Sequence, residues 1–326
     1  MRAYVVTEGG ALERRDVALP VPGPGQVRAR VRAFGINRAD LLQRRGLYPA
    51  PSGAPPDILG LEFAGEVDAI GPADRRTGAP AAAGDRVMGI TAGGAYAEYL
   101  VVPAGHLMRV PAAYSFAEAA AVPEAFVTAY DALERLSLGA GEWVLVHAVG
   151  SGVGTAVLQL ARARGARCVG TSRSPAKLDR ARDWGLDAGV NSAAGAFVDE
   201  VRRVTGGGAH AAVDLVGGSL FPRTLEALRP RGRLVLVGLT AGRTAEVDLG
   251  LVLRHRLRVE GTVLRSRPDE EKDDLVARFV QAVLPLLEAR TVRPVVERVW
   301  PFADVEQAHA MMAADANFGK LVVEVS

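Results

Sequence analysis

Short strand-like runs of apolar residues occupy positions 3–6, 26–34, 62–70, 85–90 and 95–102, with a period of two clearest in the second. In the second of these, Val27, Ala29, Val31 and Ala33 fall on one face. Each run is bounded by Gly, Pro or Asp, which predicts the short strands of a small barrel or sandwich. The segment from Asp74 to Gly84, rich in Ala, Gly, Pro and Arg, predicts a loop. From about Tyr114 the spacing becomes helical, over 116–122 and 125–136 with an interruption at Pro123. Alternating units follow: strands 143–148, 167–171, 188–190, 211–216 and 233–237, helices 153–164, 174–184, 196–205 and 220–228 between them, and a last strand 257–264. Repeated βα units predict a parallel sheet covered by helices on both faces. A helix over 269–289, kinked near Pro285, and a final strand, helix and strand close the pattern.

Composition narrows the class. The chain has 326 residues, 49% hydrophobic and 23% charged, enough for about two domains and too apolar for a disordered segment. Thirty-nine basic against 37 acidic residues leave a net charge of +2, with no basic block, so no nucleic acid partner is expected. The single cysteine, Cys168, excludes an internal disulfide and a multi-cysteine zinc cage, and suits a reducing cytoplasm. Residues 1–7 alternate like a strand without a signal core, and no apolar run reaches the ~18 residues of a membrane span, so neither secretion nor membrane insertion is expected.

The strongest chemical signal is the stretch Gly150-Ser151-Gly152-Val153-Gly154, which follows a predicted strand and opens a helix. Glycine permits a tight turn and close approach of backbone to a pyrophosphate, whose charge the helix N-terminus favours, so a dinucleotide is the expected ligand. About twenty residues on, an acid would bind the ribose hydroxyl of NAD. This chain instead has Ser172 and Arg173, with Lys177 one turn later. That pattern favours the 2′-phosphate of NADPH, although the same charges also suit a solvated helix start.

Several blocks together resemble the zinc-free quinone oxidoreductase family of the medium-chain dehydrogenase/reductase superfamily. They are Asn37-Arg38-Ala39-Asp40, Gly60-Leu61-Glu62-Phe63-Ala64-Gly65, Ala119 to Pro123 with Thr128-Ala129, and the Ser151 to Gly154 turn. Gly46-Leu47-Tyr48-Pro49, Leu264-Arg265-Ser266-Arg267 and Asn317-Phe318-Gly319-Lys320 make the chain most similar to the tumour-suppressor-induced NADPH quinone oxidoreductase branch. The resemblance implies an α/β fold: a doubly wound Rossmann sheet enclosed by a GroES-like β-barrel domain from both chain ends, with NADPH in the cleft between. The expected domains are 1–118 and 267–326 for the barrel and 119–266 for the Rossmann part. The family's cofactor contacts would fall on Asn37, Thr128, Ser151, Gly152, Val153 and Gly154, then on Ser172, Lys177, Gly238, Leu264, Ser266 and Lys320. Tyr48 and Ser151 match pocket positions and are the candidate catalytic residues. One departure bears on the NADP preference: Asn191-Ser192 stands where family members often carry Asn-Tyr. The resemblance also implies a homodimer through the strand Arg256 to Leu264.

No metal is expected. Catalytic zinc in dehydrogenase relatives needs a Cys or His set such as Gly-His-Glu, and here Leu61 replaces the histidine. His106, His147, His210, His255 and His309 lack ligand spacing, and His147 reads as a hydrogen-bonded core residue. The expected activity is zinc-independent hydride transfer from NADPH to a small quinone, with Tyr48 and Ser151 orienting an oxygen and solvent completing protonation. Two alternatives stay open: reduction of an enone or enoyl-thioester double bond, and a non-catalytic NADPH-binding structural or regulatory role.

Overall fold

Strand-forming segments at both ends of the chain build one seven-stranded and one two-stranded sheet, and the βα repeat in the middle builds a six-stranded one. In the computed structural model the described residues are 1–72, 81–194 and 196–325. Most of the expected loop, residues 74–80, lies outside them. Two compact units result: Met1–Val127 with the residues from Leu264 onward, and Thr128–Val263.

The first unit begins with β1 (Arg2–Val6), β2 (Leu12–Asp16), β3 (Gln26–Ile36), α1 (Arg38–Arg44), β4 (Glu62–Ile70), β5 (Arg86–Ile90), β6 (Tyr99–Pro103), β7 (Leu107–Arg109), α2 (Phe116–Ala120) and the start of α3 (Pro123–Leu136). The second unit holds β8 (Trp143–Val146), α4 (Gly152–Ala163), β9 (Arg167–Ser172), α5 (Pro175–Arg182), β10 (Ala188–Asn191) and α6 (Phe197–Thr205). It continues with β11 (Ala209–Asp214), α7 (Leu220–Glu226), β12 (Leu228–Leu236), α8 (Leu249–His255) and β13 (Arg258–Gly261). The chain then returns to the first unit with α9 (Asp269–Ala282), α10 (Leu284–Glu288), β14 (Val296–Pro301), α11 (Val305–Ala313) and β15 (Lys320–Glu324).

In the first unit the sheet order is β14-β15-β3-β4-β5-β7, with β6 also on β3. The alternation of β3 buries Val27, Ala29, Val31 and Ala33, but Phe34, Gly35 and Ile36 are buried consecutively, because the strand's end is covered on both faces. β15 runs antiparallel to β3 with Leu321 opposite Ile36. That register places Lys320 beside the residues just after β3. The core is aromatic, with Phe34 stacked on Tyr96 at 4.4 Å between ring centres and Phe302 edge-on to Tyr4.

The second unit is a six-stranded, wholly parallel sheet in the order β10-β9-β8-β11-β12-β13. In sequence order this is 3-2-1-4-5-6, the doubly wound arrangement. All four residues of β8 are buried, as a central parallel strand requires.

Some expectations fail locally. The strand expected over 95–102 starts only at Tyr99, since Ala95, Tyr96 and Ala97 are all buried and the backbone makes a single bridge, Ala97 to Ala3. The strand expected over 257–264, including the dimer segment Arg256 to Leu264, shortens to the four residues of β13. The kink expected near Pro285 in the helix over 269–289 is present as a full break at Val283, leaving two helices. Pro285 has no N–H to continue the first ladder. β2, with one apolar residue in five, carried no alternation to read.

Candidate functional site

In the second unit, β8 ends and the chain turns through Ala148, which holds a left-handed φ of 51°, into α4. Ser151 is the N-cap of α4: its Oγ accepts from the Gly154 N–H at 3.0 Å, leaving the hydroxyl proton to donate elsewhere. Gly154 is obligatory, because a Cβ there would stand 2.5 Å from Ala148 O and 2.9 Å from Val149 Cα. The turn, the helix start and the glycine cradle fit a pyrophosphate. Gly152 and Val153 complete that first turn. Ser172 closes β9, the strand beside β8, and its Oγ accepts from Ser174 N at 3.1 Å. Arg173 precedes α5, Lys177 lies in its first turn, and Gly238 lies just past β12. Ser151 to Gly154, Ser172 and Gly238 thus gather at the carboxyl edge of the parallel sheet, where doubly wound folds bind ligands.

Two residues of this unit are structural. His147 is fully buried, its ring nitrogens 2.7 Å from Thr171 Oγ1 and 2.8 Å from Thr224 Oγ1, and burial lowers its pKa. Cys168 is buried and its thiol is pushed up to about 12 by burial, so it is no nucleophile at neutral pH. Thr128 is a buried residue of α3.

The first unit holds a buried ionic knot. Asn37 caps α1, and its backbone N–H donates to Asp40 Oδ2 at 2.8 Å. Its side-chain Nδ2 donates to Glu62 Oε1 at 2.9 Å. The Lys320 ammonium donates to Ile36 O at 3.0 Å, to Asn37 Oδ1 at 2.7 Å and to Glu62 Oε1. Those three bonds use all the donors an ammonium has. Lys320 in this structure therefore fixes the Asn37 amide. Glu62 is fully buried and Lys320 nearly so, and the pair is tolerated because both carboxylate oxygens are bonded. The second of them, Glu62 Oε2, accepts from the backbone N–H of Glu124 at 2.8 Å. The knot has room only because residue 35 is glycine: a Cβ there would meet Glu62 Oε1 at 2.2 Å.

Beside the knot, Arg265 is buried between Leu264 and Ser266. It donates to Ala92 O at 2.8 Å, Tyr48 O at 3.3 Å and Gln43 Oε1 at 2.6 Å, and lies over the Tyr48 ring at 5.2 Å. Tyr48 is half-buried, and its phenol pKa is raised by burial and by Glu124 against the opposing effect of Arg265. It remains a proton donor at neutral pH. Glu124, at the first turn of α3, is pushed up to about 8 by burial and by the neighbouring charge of Glu62. Under the knot, Tyr96 donates to Asp40 Oδ2 at 3.0 Å and lies 2.9 Å from His309 Nε2. Burial raises Asp40 to about 6 and lowers His309 to about 4.

The first unit thus brings Asn37, Lys320 and Glu62 together and packs Tyr48 with Arg265. Glu124, Asp40, Tyr96 and Arg265 were given no role by the sequence. Pro123-Glu124 reads as an ordinary acidic helix start, and the partnership of residues 62 apart leaves no local signal. Among the described residues no three His, Cys, Asp or Glu side chains cluster as a metal site, Leu61 is buried, and no helix is long and apolar enough to cross a membrane.

Residues 23–112 match the alcohol dehydrogenase GroES-like domain family and residues 152–281 the zinc-binding dehydrogenase family. The chain is 33% identical to a quinone oxidoreductase of Pseudomonas aeruginosa over 319 residues, covering 96% of this chain and 95% of that one. It is 32% identical to the synaptic vesicle membrane protein VAT-1 homolog of Rattus norvegicus, over 99% of this chain and 84% of that protein. Among solved structures, the quinone oxidoreductase from Thermus thermophilus, determined alone and with NADPH, superposes with a TM-score of 0.86. It is 34% identical over 99% of this chain and 100% of that one.

Proposed function

The chain belongs to the quinone oxidoreductase-like branch of the medium-chain dehydrogenase/reductase superfamily, an oxidoreductase fold that binds a nicotinamide dinucleotide, and from that premise we propose that it is a metal-independent NADPH:quinone oxidoreductase. One observation carries the reading. Where dehydrogenase relatives present a Gly-His-Glu donor block, this chain buries Leu61 and closes Glu62 into an ion pair with Lys320. A leucine and an already neutralised carboxylate offer nothing to a cation that would stabilise an alkoxide. An acceptor that needs no such stabilisation, such as a quinone, suits the site.

The glycine turn and Ser151 hold the cofactor's phosphates, and Ser172, Arg173 and Lys177 favour a 2′-phosphate over a free hydroxyl. When bound, the cofactor supplies the hydride. Asn37, fixed by Lys320 and Glu62, and Thr128, Gly238, Leu264 and Ser266 orient it. Tyr48, packed under Arg265, orients the acceptor oxygen by donating a hydrogen bond to it, with Ser151 as a second donor, and solvent completes protonation. A homodimer through β13 is part of the reading, since this strand is a sheet edge with Val259 exposed. A monomer by light scattering removes that part.

The test is initial-rate oxidation of NADPH and NADH with ortho- and para-quinones, enones, enoyl thioesters and primary alcohols, against an enzyme-free control. NADPH-dependent quinone reduction insensitive to chelators is expected. Turnover confined to enones or thioesters moves the function to double-bond reduction, and NADPH binding without turnover moves it to a binding role.

A further inference from the structure

In the reductase reading Tyr48 works from a segment with no regular structure of its own: residues 45–57, between α1 and β4, form neither helix nor strand. A side chain that holds an acceptor oxygen in place has to be held itself. The backbone of the segment is fixed near its two ends, by Leu47 N–H on Leu42 O at 2.9 Å and Val6 N–H on Asp57 O at 2.7 Å. Between these points the work falls to one side chain from the far end of the sequence. Arg265 Nη1 donates to Tyr48 O at 3.3 Å, Nη2 to Gln43 Oε1 at 2.6 Å and Nε to Ala92 O at 2.8 Å. Gln43 passes the restraint on, its Nε2 donating to Pro56 O at 3.0 Å. Ala92 lies in a turn that is itself anchored, with Thr91 N–H on Leu61 O and Gly94 N–H on Ile58 O, both at 2.8 Å. A single guanidinium thus fastens the segment at Tyr48 directly and at Pro56 through Gln43, and ties both to the anchored turn.

The charge of that guanidinium is a second observation. Arg265 is only 4% exposed, yet its three bonds all go to neutral oxygens, and among the described residues no carboxylate forms an ion pair with it. A buried cation without a counter-ion is costly, and stability alone favours an apolar side chain in such a place. The cation lies 5.2 Å from the centre of the Tyr48 ring. From there it makes the phenolic hydroxyl a stronger donor and favours negative charge on the atom that the hydroxyl holds. Such charge builds on the acceptor oxygen as the hydride arrives.

We propose that Arg265 is the positioning residue of Tyr48, setting the place of its ring through the three-way clamp and strengthening its hydroxyl as a donor through the unpaired charge. This rests on the reductase reading above, in which Arg265 touches neither the acceptor nor the cofactor and acts only through Tyr48.

A double-mutant cycle on one quinone tests it: kcat for wild type, Arg265→Met, Tyr48→Phe and the double variant, with NADPH affinity followed by fluorescence and folding by urea titration. Each single variant should lose about 100-fold in kcat while NADPH affinity stays within about three-fold. The double variant should fall within about three-fold of Tyr48→Phe, because Arg265 has nothing left to act through. Arg265→Lys keeps the charge, but its compact ammonium cannot span three acceptors, so it should recover part of the loss and stand about ten-fold below wild type. If Arg265→Met fails to fold, the same cycle with Arg265→Lys decides. Losses that multiply in the double variant show Arg265 acting independently of Tyr48 and overturn the proposal, as does wild-type kcat in Arg265→Met. Absence of turnover by the wild type on every acceptor overturns the reductase reading and the positioning role together.

Discussion

The glycine turn of the second unit and the ionic knot of the first are built on opposite principles. The turn is local: a strand, a left-handed Ala148, the Ser151 cap and the first helical N–H groups follow one another directly along the chain. Its specificity is in the backbone, so glycine is the one residue that fits. The knot is long-range: residues 35, 37, 62, 124 and 320 converge through the register of β15 on β3 and the covering of that strand's end. Its specificity is in side-chain charge, and each member is stable only because the others are present. A local site can lose function without losing the fold, whereas a long-range charged site couples the two.

The sharpest way to break that contrast is one substitution in each region. Gly154→Val sets branched carbon against Ala148 O and Val149 Cα, so cofactor affinity should fall at least about 100-fold, equivalent to ~3 kcal/mol. The far-ultraviolet spectrum should stay unchanged. Binding within about ten-fold of wild type by titration calorimetry would show that the turn does not carry the phosphates. Lys320→Met instead leaves Glu62 buried without its partner. A loss of about 3 to 5 kcal/mol is expected in urea unfolding, recovered in part by Glu62→Gln in the same chain. An unchanged unfolding midpoint would mean that Glu62 takes up a proton at little cost and that the knot is not a mutual dependence.

The same contrast explains what the sequence disclosed. The βα repeat of the parallel sheet and the nucleotide turn were legible because periodicity and glycine spacing are written in neighbouring residues, whereas the doubly wound arrangement came only with the family resemblance. β2 and β7 were not, because Leu12 is the only apolar residue of one and the other is three residues long. Asn37 and Lys320 entered through family resemblance, yet nothing in the sequence indicates that they bond each other, 283 positions apart. Glu62 appeared as part of a block and Glu124 as an ordinary helix-start acid. Only their convergence, which depends on packing against Gly35, turns them into chemistry.

A smaller effect separates the cofactor's two forms. Arg173→Ala with Lys177→Ala should lower the ratio of NADPH to NADH efficiency about ten-fold, or ~1.4 kcal/mol, since these positions are partly solvent-exposed and their charges are screened. An unchanged ratio assigns selectivity to other groups, and a fall in both efficiencies alike assigns these residues a structural part.

A last effect probes how a buried charge limits stability inside the knot. Burial raises the folded-state pKa of Glu124 from the ordinary 4.5 to about 8, so unfolding releases a proton between those limits. A raised folded pKa means that the group's contribution to stability is fully present below pH 4.5 and is lost as pH rises toward 8. Glu124→Gln has no proton to lose. Its melting temperature should match wild type near the unfolded-state pKa of 4.5 and rise above it progressively with pH. It should exceed wild type by roughly a few degrees at about pH 8.5, where the wild type carries an ionised carboxyl beside Glu62. His106 and His309, both lowered from 6.5 to about 4, act in the opposite sense and destabilise on acidification below 6.5, but equally in both proteins. The difference between the two melting curves therefore isolates Glu124. A gap that is constant with pH would show an ordinary packing effect, and would leave the carboxyl ionised in the folded protein at neutral pH.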